Sequence, residues 1–528
     1  MHGLDRTIIS KINLTNSIDR IKTDVRSDFI YAPHLNVIYQ HGSEDLINSF
    51  KRKLSSGEFS HSLPLTIEVP KKSGLSRPGS ILLPFDRLLY QSLADLIADQ
   101  LENSIDRNNV FSNIFNNSPE MFEDHGSSYA KFQQSIHDYS RKYRYCLKTD
   151  IASFFDTLNL HFLKNLFQSL KIENSVLNLL DDSLKAWVET NSYGIIQGLY
   201  SSDLLGNFYL TQLDYVLKIK NFEFCRFIDD FYIFSNSKED LNKILVEICR
   251  SLRKQGLFLN ESKTQLTESR RILRQETEFD QLFNEINDML ENTDDEDSEF
   301  NKSHYGFQVD WDEEDEEEEI DVEEIEGFRL DLIEKLYTRR NEAQWQRDNI
   351  IKFCIPLLSK ARSRLLLVDI EQEIETHPYL IKYFCNYLAT IDRHDASITK
   401  FIEEILMSKK LIYDYQCHWL FSTLLYRNGV SNVSLDYAVK IILNKHFHES
   451  LRSICSIFIM KNGTGSQKRI IREEYQNETS PYVRAAIVFG TQYLPADERR
   501  ACRLAWGGHS ELNSLIIKSI GNSKTSSA

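Results

Sequence analysis

Two adjacent aspartates, Asp229 and Asp230, stand inside an apolar and aromatic run, CRFIDDFYIF. Alternating apolar positions on either side predict two strands, with the aspartates on the tight turn between them. Carboxylates set among aromatic residues are costly to bury unless a positive charge shares the site, and a divalent metal is one such charge. A solvated Asp-Asp turn is the plain alternative. A third carboxylate lies in YCLKTDIASFFDTL, residues 145–158, where an apolar strand ends at Asp150. Three such acids can hold two magnesium ions, or manganese in their place, by hard oxygen ligands and leave coordination positions for phosphate oxygens. Asp156, further along the same stretch, reads better as a helix-start cap or a structural partner than as a ligand.

Phosphate chemistry also needs cations. The stretch LTIEVPKKSGLSRPGSILL, residues 65–83, predicts a strand, a polar turn and a second strand, which gathers Lys71, Lys72 and Arg77 on one hairpin. Lysine and arginine making charge-assisted contacts are what a triphosphate requires, although a solvated basic hairpin would look the same. A turn at Gln197–Gly198 would let backbone approach a flat base closely, because glycine has no side chain in the way. The segment GLFLNESKT predicts a strand that ends near Lys263.

The elements that must position these residues follow from periodicity. Short helices are expected over Leu14–Ile21 and Asp45–Leu54, an amphipathic helix over Pro84–Leu101 and a loop over 103–130. Helix is expected again over Leu160–Val188, from the Gln197 turn through Leu217, and over Leu241–Leu252. From residue 327 onward the pattern is helical to the end. The candidates are Leu330–Tyr337, Ile350–Leu366, Pro378–Ile391, Ser397–Leu406, Asp414–Tyr426, Ser434–Leu443, Ser450–Met460, Gln467–Tyr475 and Pro481–Gly490. SPYVRAAIVFG followed by LPADERRACRLAW has the character of a HEAT-like helical hairpin.

Charge divides the 528 residues unevenly: the formal net charge of −16 hides three different regions. Residues 1–275 balance 33 basic against 33 acidic side chains, 276–326 carry 24 acidic residues and only Lys302, and 327–528 carry 28 basic against 21 acidic. The acidity therefore belongs to one segment, expected to be a disordered linker, and the regions flanking it can accept a polyanion. The clusters Lys360/Arg362/Arg364, Lys468/Arg469/Arg472 and Arg499/Arg500/Arg503 would suit single-stranded nucleic acid, or simply form solvated helix faces. Eight cysteines fall at no metal-binding spacing, which argues against zinc and against a disulfide framework. Neither a secretory signal nor a bilayer-spanning stretch is visible, so a cytoplasmic protein with no membrane partner is expected.

In order, these parts resemble a reverse transcriptase over roughly residues 65–270. PKKSG…RPG resembles the fingers segment of group II intron, retron and related bacterial enzymes, DIASFFD their motif A, IIQG motif B, FIDD motif C and GLFLNESKT motif D. Motif C of the family more often has Ala or Val where Ile228 stands. The resemblance implies an α+β fold: a right-hand polymerase of fingers and palm over 65–275, after an N-terminal region over 1–64. An acidic linker over 276–326 and an all-α HEAT-like helical-repeat domain over 327–528 would complete it. It implies that Asp150, Asp229 and Asp230 are catalytic and hold two Mg²⁺ ions. Lys71 and Arg77 would grip the dNTP, Phe155 would exclude a ribose hydroxyl, Gln197 and Gly198 would face the nascent pair, and Lys263 would donate a proton to pyrophosphate.

A helical region in the thumb's place resembles the abortive-infection and defence-associated bacterial enzymes. That implies antiphage DNA synthesis on an RNA template or small non-coding RNA, or untemplated synthesis primed from a protein hydroxyl, which leaves the DNA product covalently attached. Such enzymes are expected to form homo-oligomers. A retron-like or intron-like enzyme is one alternative, and a catalytically idle polymerase fold that binds RNA as a scaffold is another.

Overall fold

The computed structural model describes residues 10–188, 192–272, 282, 330–342 and 347–526. Apart from Leu282, the acidic segment expected at 276–326 lies outside the described residues. After helices Leu14–Asp24, Pro33–His41 and Ser43–Ser56, strands β1 (Leu65–Pro70) and β2 (Ser76–Ile81) form an antiparallel hairpin, paired from Leu65↔Ile81 to Pro70↔Ser76. Its tip turns through Gly74 at φ +82°, a conformation open to glycine without steric cost. Lys72 is thereby left exposed at the tip.

A four-stranded antiparallel sheet follows, built from β3 (Tyr145–Asp150), β4 (Glu223–Phe227), β5 (Asp230–Ser235) and β6 (Gln265–Glu268) in the order β4-β5-β3-β6. Helix Lys238–Lys254 packs on β5 and β3 through a stripe of buried Leu241, Ile244, Ile248 and Leu252. Ser237 caps its first turn by accepting the Asp240 N–H. Helix His125–Lys142 packs on β4 and β5 through Phe132 and Ile136. Helix Tyr200–Tyr209, buried along its whole length, lies against helix Pro84–Glu102.

Several expectations need correction. The loop expected over 103–130 ends early, because the Asp124 carboxylate accepts the Ser127 N–H and starts a helix at His125. The helix expected over Leu160–Val188 is two, Leu160–Gln168 and Asn174–Trp187. The helix expected through Leu217 breaks at Leu210 into Tyr200–Tyr209 and Thr211–Ile219. No strand runs over 256–264: Gly256 turns the chain at φ +80°, Leu259 makes only a bridge with Ile151, and the strand begins at Gln265.

After Glu268 the described residues contain helices and no further strand. Helix Arg347–Lys360 stops well before Leu366, and Arg362 then adopts φ +48°. Helices Ile370–Thr376 and Glu511–Ser526 join the expected set, while Pro481–Gly490 and Ala496–Trp506 fall in the two stretches read as a helical hairpin.

This helical region docks on the N-terminal one through buried polar contacts. Trp419 Nε1 donates to the Phe29 carbonyl at 3.0 Å, and the His418 ring nitrogen Nε2 lies 3.0 Å from the Tyr31 carbonyl. His448 Nε2 lies 2.7 Å from the Thr66 carbonyl on β1. Helix Glu511–Ser526 rests on helix Pro33–His41.

The buried Lys382 ammonium donates to the carbonyls of Arg26 and Asp28 at 3.1 and 3.0 Å, and burial pulls its pKa down to about 7. An unfolded lysine keeps its proton to about 10.5, so between those values the unfolded chain binds the extra proton and stability rises with pH. In chemical denaturation, the stability of wild type minus that of Lys382→Met is therefore expected to grow between pH 7 and pH 10. A difference that stays flat would contradict the desolvation of this lysine.

Candidate active site

β3 and β5 are paired so that Asp150 and Asp230 stand directly opposite each other. Phe227 pairs with Asp230 across the β4–β5 hairpin, which leaves Ile228 and Asp229 as the two turn residues. Asp230 thus opens β5 rather than sitting on the turn. This register brings the carboxyls of Asp150, Asp229 and Asp230 to one end of the sheet. Burial pushes Asp229 well above the usual carboxylate range, and the charges of Asp150 and Asp230 push it further. Burial and Asp150 also raise Asp230.

One cation already answers this charge. Lys263 Nζ lies 2.8 Å from Asp150 Oδ2, and Asn260 Nδ2 donates to the same oxygen at 3.2 Å. Burial works against the Lys263 ammonium, but its bond to Asp150 and the charges of all three acids raise its pKa. Among the described residues, no three carboxylates, imidazoles or thiols are closed to a metal's ligand spacing. The donor set nevertheless fits a hard divalent cation: three oxygen-bearing acids share one sheet end, and burial together with their mutual repulsion disfavours the ionised form of Asp229, a cost that a positive charge would lower.

The turn itself is held from below. Ile228 adopts φ +55°, which a β-branched residue rarely does. Its N–H donates to Ser112 Oγ at 2.8 Å, and its carbonyl accepts from Arg226 Nη1 at 3.0 Å. Arg226 is fully buried, and its fork is used completely. Nε and Nη2 bond the two Asp214 oxygens at 2.8 and 2.6 Å, while Nη1 and Nη2 reach the side chain and carbonyl of Asn207 at 2.7 and 3.2 Å. Nothing in local sequence marked Asp214, Asn207 or Ser112. An arginine within an apolar strand was the available signal, since a buried guanidinium must have a carboxylate partner.

A second group forms around Phe29. The Arg77 guanidinium lies 4.9 Å over the Phe29 ring. A side chain at Gly198, where φ is +91°, would come within 2.7 Å of that ring, and one at Gly79 of the hairpin within 3.0 Å of it, at the Cδ2 atom that both approach. Phe29 thus ties the cationic hairpin to the Gln197–Gly198 turn, and Gln197 is partly exposed there. Asp156 faces this group: burial raises its pKa, while Lys71 and Arg77 lower it. Its position suits the structural-partner reading. Phe155 is buried, with its ring against Gly206 of helix Tyr200–Tyr209.

Beside the acids lies an aromatic wall that sequence reading missed, because it comes from the supposed loop. Tyr129 stacks on His125, with centroids 6.4 Å apart and planes 5° apart, and its edge meets Phe227 at 5.3 Å. Tyr129 keeps 41% of its surface exposed.

Residues 69–283 match the family described as reverse transcriptase (RNA-dependent DNA polymerase), so the chain carries such a domain over about two-fifths of its length. No curated protein matches the sequence. Among solved structures, the chain is similar to a C-terminally truncated apo telomerase from Candida Tropicalis at 16% identity and a TM-score of 0.30, covering 39% of this chain and 50% of that one. A fuller apo telomerase from the same organism gives 12% identity and 0.30, over 90% of this chain and 73% of that one. The telomerase in complex with a TWJ fragment of telomeric RNA gives 13% and 0.31, over 84% and 68%. Likenesses this loose decide nothing about function.

Replacing Arg226 by Met would leave Asp214 buried without its partner. A loss of about 3–5 kcal/mol is expected in urea denaturation, as for other broken buried pairs. The exposed Lys218–Asp106 pair, at 2.8 Å, is the control, and its Lys218→Met change should leave the curve in place.

Proposed function

We propose that this reverse transcriptase domain is an active RNA-directed DNA polymerase, with Asp150, Asp229 and Asp230 as its catalytic acids. The observation that carries the reading is the pairing of Asp150 with Asp230 across β3 and β5, with Asp229 on the adjoining turn. In this reading the three carboxylates would hold two magnesium ions, which when bound make the primer hydroxyl more acidic and offset charge on the departing pyrophosphate.

The chain's own residues do the rest. Lys71 and Arg77 bind the triphosphate of the incoming dNTP, and Gln197 and Gly198 back the nascent base pair. The strand's 3′ oxygen forms a bond to the α-phosphorus as the bond to the bridging oxygen breaks. Lys263, close to the acids through its 2.8 Å contact with Asp150, gives a proton to the leaving pyrophosphate. Phe155 lies under the sugar, where its ring leaves no space for a 2′ hydroxyl.

The defence-associated bacterial reading rests on the likeness of motifs and on the helical region that follows them, which we read as HEAT-like. A template RNA, a protein-linked product and a homo-oligomer belong to the same reading. One observation favours a rival: the Lys263–Asp150 ion pair, at 2.8 Å, would suit an idle fold that only holds RNA.

Incorporation of dNTPs with magnesium separates the two. Wild type should extend a strand, and Asp229→Asn with Asp230→Asn should fall to background; incorporation that survives the double change would refute the assigned site. Phe155→Ala is expected to reduce the preference for dNTP over rNTP by about tenfold, read as the ratio of kcat/KM values. An unchanged ratio would place the sugar gate elsewhere.

A further inference from the structure

Positive charge is concentrated where the β1–β2 hairpin meets helix Arg347–Lys360 of the helical region. Lys72 at the hairpin tip is 2.7 Å from Asp348 Oδ2, which fixes the two elements side by side. Asp348 also accepts from the Tyr379 hydroxyl at 3.1 Å and lies 3.6 Å from Arg347 Nη1. Lys352 is one helical turn beyond Asp348, on the same face. Its ammonium stands 6.0 Å from the Tyr383 ring, and the residue is exposed. Arg77 and Lys72 repel it, while Asp348, already engaged by other donors, attracts it. His125 of the aromatic wall also feels the Lys352 charge. Lys352 is therefore carried next to the cationic hairpin by the Lys72–Asp348 contact, within electrostatic reach of the aromatic wall.

Like charges brought together at a solvent-open seam raise each other's energy unless a compact anion joins them. We propose that Lys352 is a further cation for the triphosphate of the incoming nucleotide, supplied by the helical region to a grip that Lys71 and Arg77 begin. The inference rests on the polymerase reading and deepens it. A triphosphate suits the cluster better than a strand backbone, because it places several negative charges at one point, whereas a strand spaces one charge per phosphate. The helical region would then be part of nucleotide selection rather than only a platform behind the polymerase.

The test uses the full chain with magnesium and a primed template, comparing wild type, Lys352→Met, Lys352→Gln and Lys352→Arg. Loss of one charge-assisted contact should raise the KM for dNTP about tenfold in the Met and Gln variants. The kcat and the KM for the primed template should stay within about twofold, and Arg should restore the dNTP KM. A melting midpoint for each variant accompanies the kinetics, and Gln keeps much of the stem that packs near Tyr383 if Met lowers it. An unchanged dNTP KM, or a rise in the template KM in its place, would overturn the inference and leave the polymerase reading intact. Wild type that incorporates nothing would sink that reading itself.

Discussion

A guanidinium with no contact to solvent underlies this site. Arg226 sits beneath the Ile228–Asp229 turn, and its five N–H groups are shared among Asp214, Asn207 and the Ile228 carbonyl. A buried charge of this kind is tolerable only when every donor is met, so the positions of helices Tyr200–Tyr209 and Thr211–Ile219 are coupled to the turn. The same bonds hold Ile228 in a left-handed conformation that its branched side chain would otherwise avoid. Asp229 is therefore presented by a turn held in place from below, next to the strand residues Asp150 and Asp230.

The sheet end is consequently a place of unbalanced negative charge. The cost falls most heavily on Asp229, whose ionised form is disfavoured by burial and by both neighbouring carboxylates together. Lys263 relieves Asp150 by a direct bond and stays exposed enough to be displaced. Opposite in sign, Arg77 of the hairpin is placed by an aromatic ring rather than by carboxylates alone: it lies over Phe29, which Gly79 and Gly198 allow to pack closely against their backbone. Anionic and cationic halves are thus fixed by separate devices, joined through the short chain from Asp150 to Asp156.

Phe29 has a second role, since its carbonyl accepts the Trp419 indole N–H. The segment around it lies between the hairpin and the helical region, with Tyr31 bonded to Tyr426 at 2.8 Å and Lys382 reaching Asp28. Behind that segment, Arg87 bonds both Asp24 and Asp28 within the N-terminal helices. The helical region is therefore attached to the polymerase by buried polar bonds that require exact placement. Residues of the N-terminal stretch, which offered no motif, turn out to be the tie.

Much of the acid side was legible in the sequence. Period-two alternation around Asp150 and around Asp229–Asp230 marked the strands, because a half-buried strand must alternate, and the hairpin with Lys71, Lys72 and Arg77 followed from its turn residues. The helical character of the chain after residue 327 was equally plain from its apolar spacing. What local pattern could not carry was anything that depends on which distant groups meet. Asp214 and Asn207 become partners of Arg226 only once two helices pack on β4. Tyr129 and His125 reach Phe227 only because Asp124 starts a helix within a polar stretch. Lys352 faces the hairpin only because Lys72 meets Asp348. Periodicity records whether a residue turns inward, and burial then demands a partner, but the identity of that partner is set by packing alone.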